Sequence, residues 1–360
     1  MDVARLIPAP DTIPVAWGWF QAFLLSTFFL HILLMNVMLG LACIALVGQL
    51  GSNRVDGAAL GGDIAGALPF TIAFAVNLGV APLLFVQVLY GHLMYTSSIL
   101  MAAFWLAVIA LLIGVYALAY VYKYRFDGLG GRRPLVLGLI TLMLLAIGFI
   151  YTNNFTLMQQ PQTWDRYFDR PGGLLLNLGD ATLWPRYLHF MLSAPAIGGL
   201  AIALYHYLRE KKGATDAGPM IRYGCRWFTH ATLLNFAVGL WFAAVLPKGI
   251  LNPSTAIGMQ LTVVLSAGIL CSIPAVVFGF RARPVPALLW TLAALALMIL
   301  ARSLLRAAML APWFSPSQLT VRVEYGPLAL FLLIFAGGIG LVVWMLGMTS
   351  RAVAAKEARP

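Results

Sequence analysis

Five histidines and one methionine are the residues through which this chain could do chemistry. His31, His92, His189 and His230 fall inside long apolar runs, and His206 stands at the end of one. An ionisable side chain is costly to bury in lipid, so each is a functional candidate by default. In a helical bundle such a histidine can ligate haem iron, hydrogen-bond between helices or carry a proton. Depth sorts them, at about 1.5 Å per residue. His92 and His189 each lie about one helical turn from the same membrane face, Met259 is similarly shallow, and His31 is deeper. Three axial ligands at one level favour a haem layer there. His206 and His230 lie toward the other face and read as structural. Beside His189, the small residues Ser193, Ala196 and Gly199 leave room for a flat porphyrin, or equally for close helix packing.

The acids behave differently. All twelve fall in loops, tails or span ends. With no carboxylate in mid-membrane, a carboxylate proton relay and a cation-coupled transporter are both disfavoured. Cys43, Cys225 and Cys271 are lone, and neither C-x-x-C nor C-x-x-C-H occurs. That argues against a disulfide framework, a cysteine zinc site and a covalently attached c-type haem.

The elements that position these residues are membrane spans. The chain is 61% hydrophobic and 10% charged, against about 45–50% and 25% for a soluble domain. Apolar runs predict nine helices near 18–47, 64–96, 98–122, 134–156, 184–208, 224–246, 256–280, 285–311 and 326–348. The fold expected is an all-α polytopic bundle forming a single membrane domain over 1–360. Tyr95–Ser98 is the thin divide between the second and third spans, and 157–183, with Pro161, Pro171, Gly172 and Gly173, reads as a structured loop. No basic n-region or cleavage site marks the N-terminus, so the first run is expected to remain as a span.

Net charge is +11, and it divides unevenly. Lys123, Arg125, Arg132, Arg133, Lys211, Lys212, Arg281 and Arg283 belong to one face, which carries +9 against +2 on the other. The positive-inside rule then predicts an outside N-terminus and a cytoplasmic C-terminus, in a bacterial-type inner membrane. A basic balance of this kind reports orientation and lipid contact, not a nucleic-acid partner.

Four short segments resemble subunit I of the cytochrome bd quinol oxidases. The first span, from Gln21 through His31 to Leu39-Gly40-Leu41-Ala42, is similar to the family's first helix, where a histidine bears the oxygen-reactive haem. Asn77-Leu78-Gly79-Val80-Ala81, followed by Gln87 and Gly91, resembles its Gly-Val-Ala helix. Arg186-Tyr187-Leu188-His189-Phe190 looks like the helix whose histidine ligates the low-spin haem b, and Met259 occupies the place of that haem's methionine ligand. Nine helices with an outside N-terminus match as well.

The departures from that family bear on function. Gln87 stands where the family has a second-helix carboxylate. The eighth span offers Arg302, Ser303 and Arg306 without the family's glutamate ligand, and the quinol loop is reduced to Pro247–Thr255. Glutamine cannot give and regain a proton as a carboxylic acid does. The resemblance therefore implies a membrane b-type cytochrome that moves electrons between a quinone pool and an outer-face redox partner without reducing oxygen. His189 with Met259 would hold one haem b, and His31 with or without His92 another. Arg302 and Arg306 would neutralise propionates or a semiquinone, or else snorkel to headgroups. A c-type cytochrome or a second membrane subunit would be the partner. The alternatives are a terminal quinol oxidase, a haem-free transporter and a structural membrane subunit.

Overall fold

The computed structural model describes residues 3–51, 54–169, 171–215 and 217–357, the side chains at 3, 54–59, 328, 349–350 and 352–357 excepted. Asp2 and Asp216, two of the acids located in the sequence, lie outside the described residues. Nine long helices account for most of the chain: α1 (Trp17–Leu50), α2 (Arg54–Leu100), α3 (Ala102–Tyr124), α4 (Arg133–Met158), α5 (Leu183–Lys211), α6 (Gly218–Ala244), α7 (Ala256–Phe280), α8 (Pro284–Leu310) and α9 (Tyr325–Glu357). Among the described residues there is no strand, only a single parallel bridge between Ile13 and Val321. Eight of the helices are long and apolar enough to cross a membrane. The ninth, α6, matches them in length but carries Arg222, Arg226, His230 and Asn235. The chain is thus an all-α, multi-pass membrane bundle.

Two boundaries differ from those expected. Much of the 49–63 segment is helical, because α2 starts at Arg54. At its other end α2 runs through the polar run 95–98 to Leu100, and the chain breaks only at Met101 (φ −117°, ψ 34°). The reason is local bonding. Ser97 and Ser98 donate to the Met94 carbonyl inside their own helix, and Ser97 also donates to Asn154 Oδ1 at 3.2 Å. Four polar residues that read as a turn are in part an interhelical contact.

One end of the bundle, here the cap end, gathers the N-terminal segment, the α4–α5 loop and the α8–α9 loop. Ile13 donates to the Thr320 carbonyl at 3.0 Å and accepts from Arg322 N–H at 2.8 Å. The α4–α5 loop is ordered as expected, with a 3-10 helix at Pro161–Asp169. Its polar groups are accounted for: Trp164 donates to the Leu157 carbonyl, Asn177 to Gln160, and Gln160 and Thr182 both to Asp180. The opposite, basic end carries the Arg- and Lys-rich turns, where Gln49 donates to the hydroxyl of Tyr122.

Helix α5 lies at the centre, and its consecutive glycines explain how. A Cβ at Gly198 would stand 2.6 Å from the carbonyl carbon of Gly40 in α1, and one at Gly199 would stand 2.6 Å from the Gly224 carbonyl oxygen in α6. Backbone meets backbone on both sides. With no hydrophobic driving force between helices in lipid, small residues that permit such contact supply the dispersion energy of association. Helix α9 is the opposite case. Its apolar side chains are exposed along its described length, and added Cβ atoms at Gly337, Gly338 and Gly340 would meet nothing within 4 Å.

Candidate functional site

The candidate site lies between the centre of the bundle and the cap end. Helix register assembles it. Ser193 of α5 donates to Asn36 Oδ1 of α1 at 3.1 Å, and the Gly40–Gly198 contact lies about one turn beyond. These two helices both run from the cap end, so the same offset sets His31 level with His189. The sequence places His31 deeper because α1 begins farther out than α5 does.

The two imidazoles are held differently. His31 Nδ1 lies 2.9 Å from the Ala75 carbonyl of α2, which in the protonated-Nδ1 tautomer leaves Nε2 free. A backbone carbonyl on one imidazole nitrogen is the usual outer-shell support for a metal on the other. The ring rests on Gly79, where an added Cβ would stand 2.8 Å from His31 Cε1. His189 rests similarly on Gly239 of α6, where a Cβ would stand 3.3 Å from Cε1. Its polar neighbour is Asn235 of α6. His189 Nδ1 and Asn235 Oδ1 are buried and neither meets hydrogen-bond geometry. His31 and His189 are both half-buried.

Three arginines converge on the same region. Arg302 of α8 stacks its guanidinium 4.4 Å from the Phe28 ring centroid of α1 and 5.1 Å from that of Phe155 of α4. Its charge is felt at His31, and those of Arg306 and Arg186 at Arg302. Arg306, 2% exposed, lies 4.8 Å over the Tyr90 ring, where α2 departs from helical geometry beside Gly91. All three of its guanidinium nitrogens lack a hydrogen-bond partner. Arg186 donates to Gln159 Oε1 at 3.2 Å and senses Asp180, while its Nε and Nη2 are unsatisfied. Among the described residues none of the three is in an ion pair. Like charges this close, buried and unbalanced, cost several kcal/mol in a bundle without a bound anion.

Other expected residues lie elsewhere. His92 is 13 residues beyond Gly79 on α2, about 20 Å toward the cap. It is buried, with its ring edge-on to Phe314 at 4.4 Å and Asp11 acting on it from the N-terminal segment. The structure therefore does not pair His92 with His31, and aromatic packing leaves His92 no porphyrin face. Met259 is 53% exposed. Thr229 of α6 faces Gly279 of α7, so Gly239 and the His189 ring on it stand level with about residue 269, and Met259 lies about ten residues, roughly 15 Å, nearer the cap. The His189–Met259 pair is therefore not assembled either: α7 packs along α8, and its close approach to α6, around Gly279 and Phe228, lies toward the basic end. His230 is exposed and bonds to its own helix at the Arg226 carbonyl. The shortened α6–α7 loop encloses a shallow pocket of about 390 Å³ whose lining has Lys248 as its one charge.

Arg186, Asn36 and Asn235 are the site residues that sequence reasoning missed. Arg186 was open to view, since it precedes His189 by three positions and shares its helix face. Among the described residues no three of His, Cys, Asp and Glu come together, so no wholly protein-ligated metal site is formed there. A haem needs less, one or two axial ligands, with cations for its propionates. His31, His189 and the arginines fit that need by residue type, by their glycine cradles and by their orphaned atoms. No family model, curated protein or solved structure matches the chain.

Proposed function

We propose that this protein is a membrane b-type cytochrome, related to subunit I of the cytochrome bd oxidases, that moves electrons between a quinone pool and a redox partner at its cap end. The observation that carries this reading is the buried, unbalanced charge of Arg302 and Arg306 on the cap side of two cradled histidines. Two haem propionates would supply the missing anions through charge-assisted hydrogen bonds. Haem, when bound, supplies the one-electron chemistry.

The chain's own residues then have distinct tasks. His31, held at Nδ1 by the Ala75 carbonyl, would offer Nε2 to haem iron. His189, whose Nδ1 has no hydrogen-bond partner and whose polar neighbour is Asn235, would offer the second imidazole. Gly79 and Gly239 leave the imidazoles the room a Cβ would take. Arg302 and Arg306 would hold propionates, and Arg186, tied to Gln159 and near Asp180, would keep that end of the site cationic. Among the described residues no carboxylate stands beside the histidines to deliver protons, and Gln87 occupies the expected acid position on α2. That supports electron transfer without oxygen reduction. On this reading the cap end faces outward, where a c-type cytochrome could dock, and the basic end faces the cytoplasm of a bacterial-type membrane.

Purified protein should give a reduced-minus-oxidised spectrum of b-type haem and one or two pyridine haemochrome equivalents per chain. His31→Ala and His189→Ala should each remove haem signal. Careful preparations without haem would refute the proposal.

A further inference from the structure

A second feature lies on the other face of α1. Leu25, Ser26 and Phe29 of α1 face Ala296 and Leu300 of α8 across an apolar groove of about 480 Å³, within the range of small-molecule sites. One helical turn toward the cap the groove ends at a polar clasp, where Gln21 Nε2 donates to Ser303 Oγ at 2.8 Å. Hydroxyls elsewhere on these spans, such as Ser26, Thr27 and Thr291, are spent on carbonyls of their own helix. Ser303 accepts from Gln21 and donates to nothing. The clasp therefore presents one free donor, the Ser303 hydroxyl, and one free acceptor, Gln21 Oε1.

We infer that this groove binds a membrane quinone, with the isoprenoid tail between α1 and α8 and the ring at the Gln21–Ser303 clasp. A quinone carbonyl accepts from Ser303, and a quinol hydroxyl donates to Gln21, so one clasp serves both redox forms. A phospholipid is the poorer match. Its phosphate calls for a cation, and the nearest one, Arg302, is turned inward between Phe28 and Phe155. The groove shares a stretch of α1 with His31, and the clasp stands ten residues, about 15 Å, along the helix from that proposed haem ligand. In that respect the inference deepens the electron-transfer reading and rests on it.

The test is photolabelling of the purified full chain in nanodiscs with an azido-benzoquinone carrying a decyl tail, followed by peptide mass spectrometry. The expected labels fall on residues 21–30 and 296–303, and unlabelled decylquinone competes where added phosphatidylcholine does not. Ser303→Ala should weaken labelling about tenfold, as expected for one lost hydrogen bond at the upper end of its range. Ala296→Trp, which fills the groove, should abolish it. Labels spread over all lipid-facing helices, α9 included, or equal competition by phosphatidylcholine, would overturn the assignment. The haem spectrum of the same sample separates the two readings. Haem present without groove labelling overturns the groove alone, whereas groove labelling without haem overturns the electron-transfer reading and leaves the quinone site standing.

Discussion

The two ends of α5 are built on opposite rules. Toward the basic end, Gly198 and Gly199 bring its backbone against α1 and α6, and nothing larger than hydrogen fits. Toward the cap end the same helices meet through side chains: Ser193 bonds to Asn36, the His189 ring rests on Gly239 and the Arg186 guanidinium lies over Phe242. The glycine contacts fix the register and crossing of the helices, and the site inherits its geometry from them.

That contrast can be broken deliberately. The largest effect is expected from Gly199→Leu, which drives a side chain into the Gly224 carbonyl. It should cost at least about 4 kcal/mol and leave little monodisperse protein in detergent. Arg306→Met comes next, and its sign depends on loading. Without haem, removal of a buried unpaired cation should stabilise the protein by about 2 kcal/mol. With haem, it should lower both haem retention and thermal stability. A variant stabilised in both states would show that no anion faces Arg306. His189→Ala should then remove haem absorbance at little cost to the fold, whereas His92→Ala should leave the spectrum intact and lower the unfolding temperature. The reverse pattern would move the haem to the cap. The smallest effect belongs to Ser193→Ala, which removes the bond to Asn36. It should cost about 1 kcal/mol in thermal unfolding, with haem content unchanged.

Much of the bundle was legible in the sequence because length and apolarity define a span without reference to neighbours. Eight of the nine helices follow from that alone, while α6 and the ordered α4–α5 loop are marked by the charges, prolines and glycines that punctuate the chain. Arg302 and Arg306 stand out for the same reason, as charges inside apolar runs. Register was not legible. Helices apolar on all sides carry no stripe to say which face turns inward, so the offset between α1 and α5 rests on Asn36, Ser193 and a pair of glycines. Depth counted from span ends consequently grouped His92 and Met259 with His189, when packing groups His31 with it. The Ser97–Ser98 pair misled in a similar way, since the same residue types make a turn in water and an interhelical bond in a bundle.

The bridge between Ile13 and Val321 has a consequence for how the chain can change over time. It stitches the α8–α9 loop to the N-terminal segment before α9 begins, so the eight-helix body is closed without its last member. Helix α9 hangs from that seam like a trailing carriage, and gaining, losing or exchanging it would reverse the side on which the chain ends while leaving the chemistry untouched.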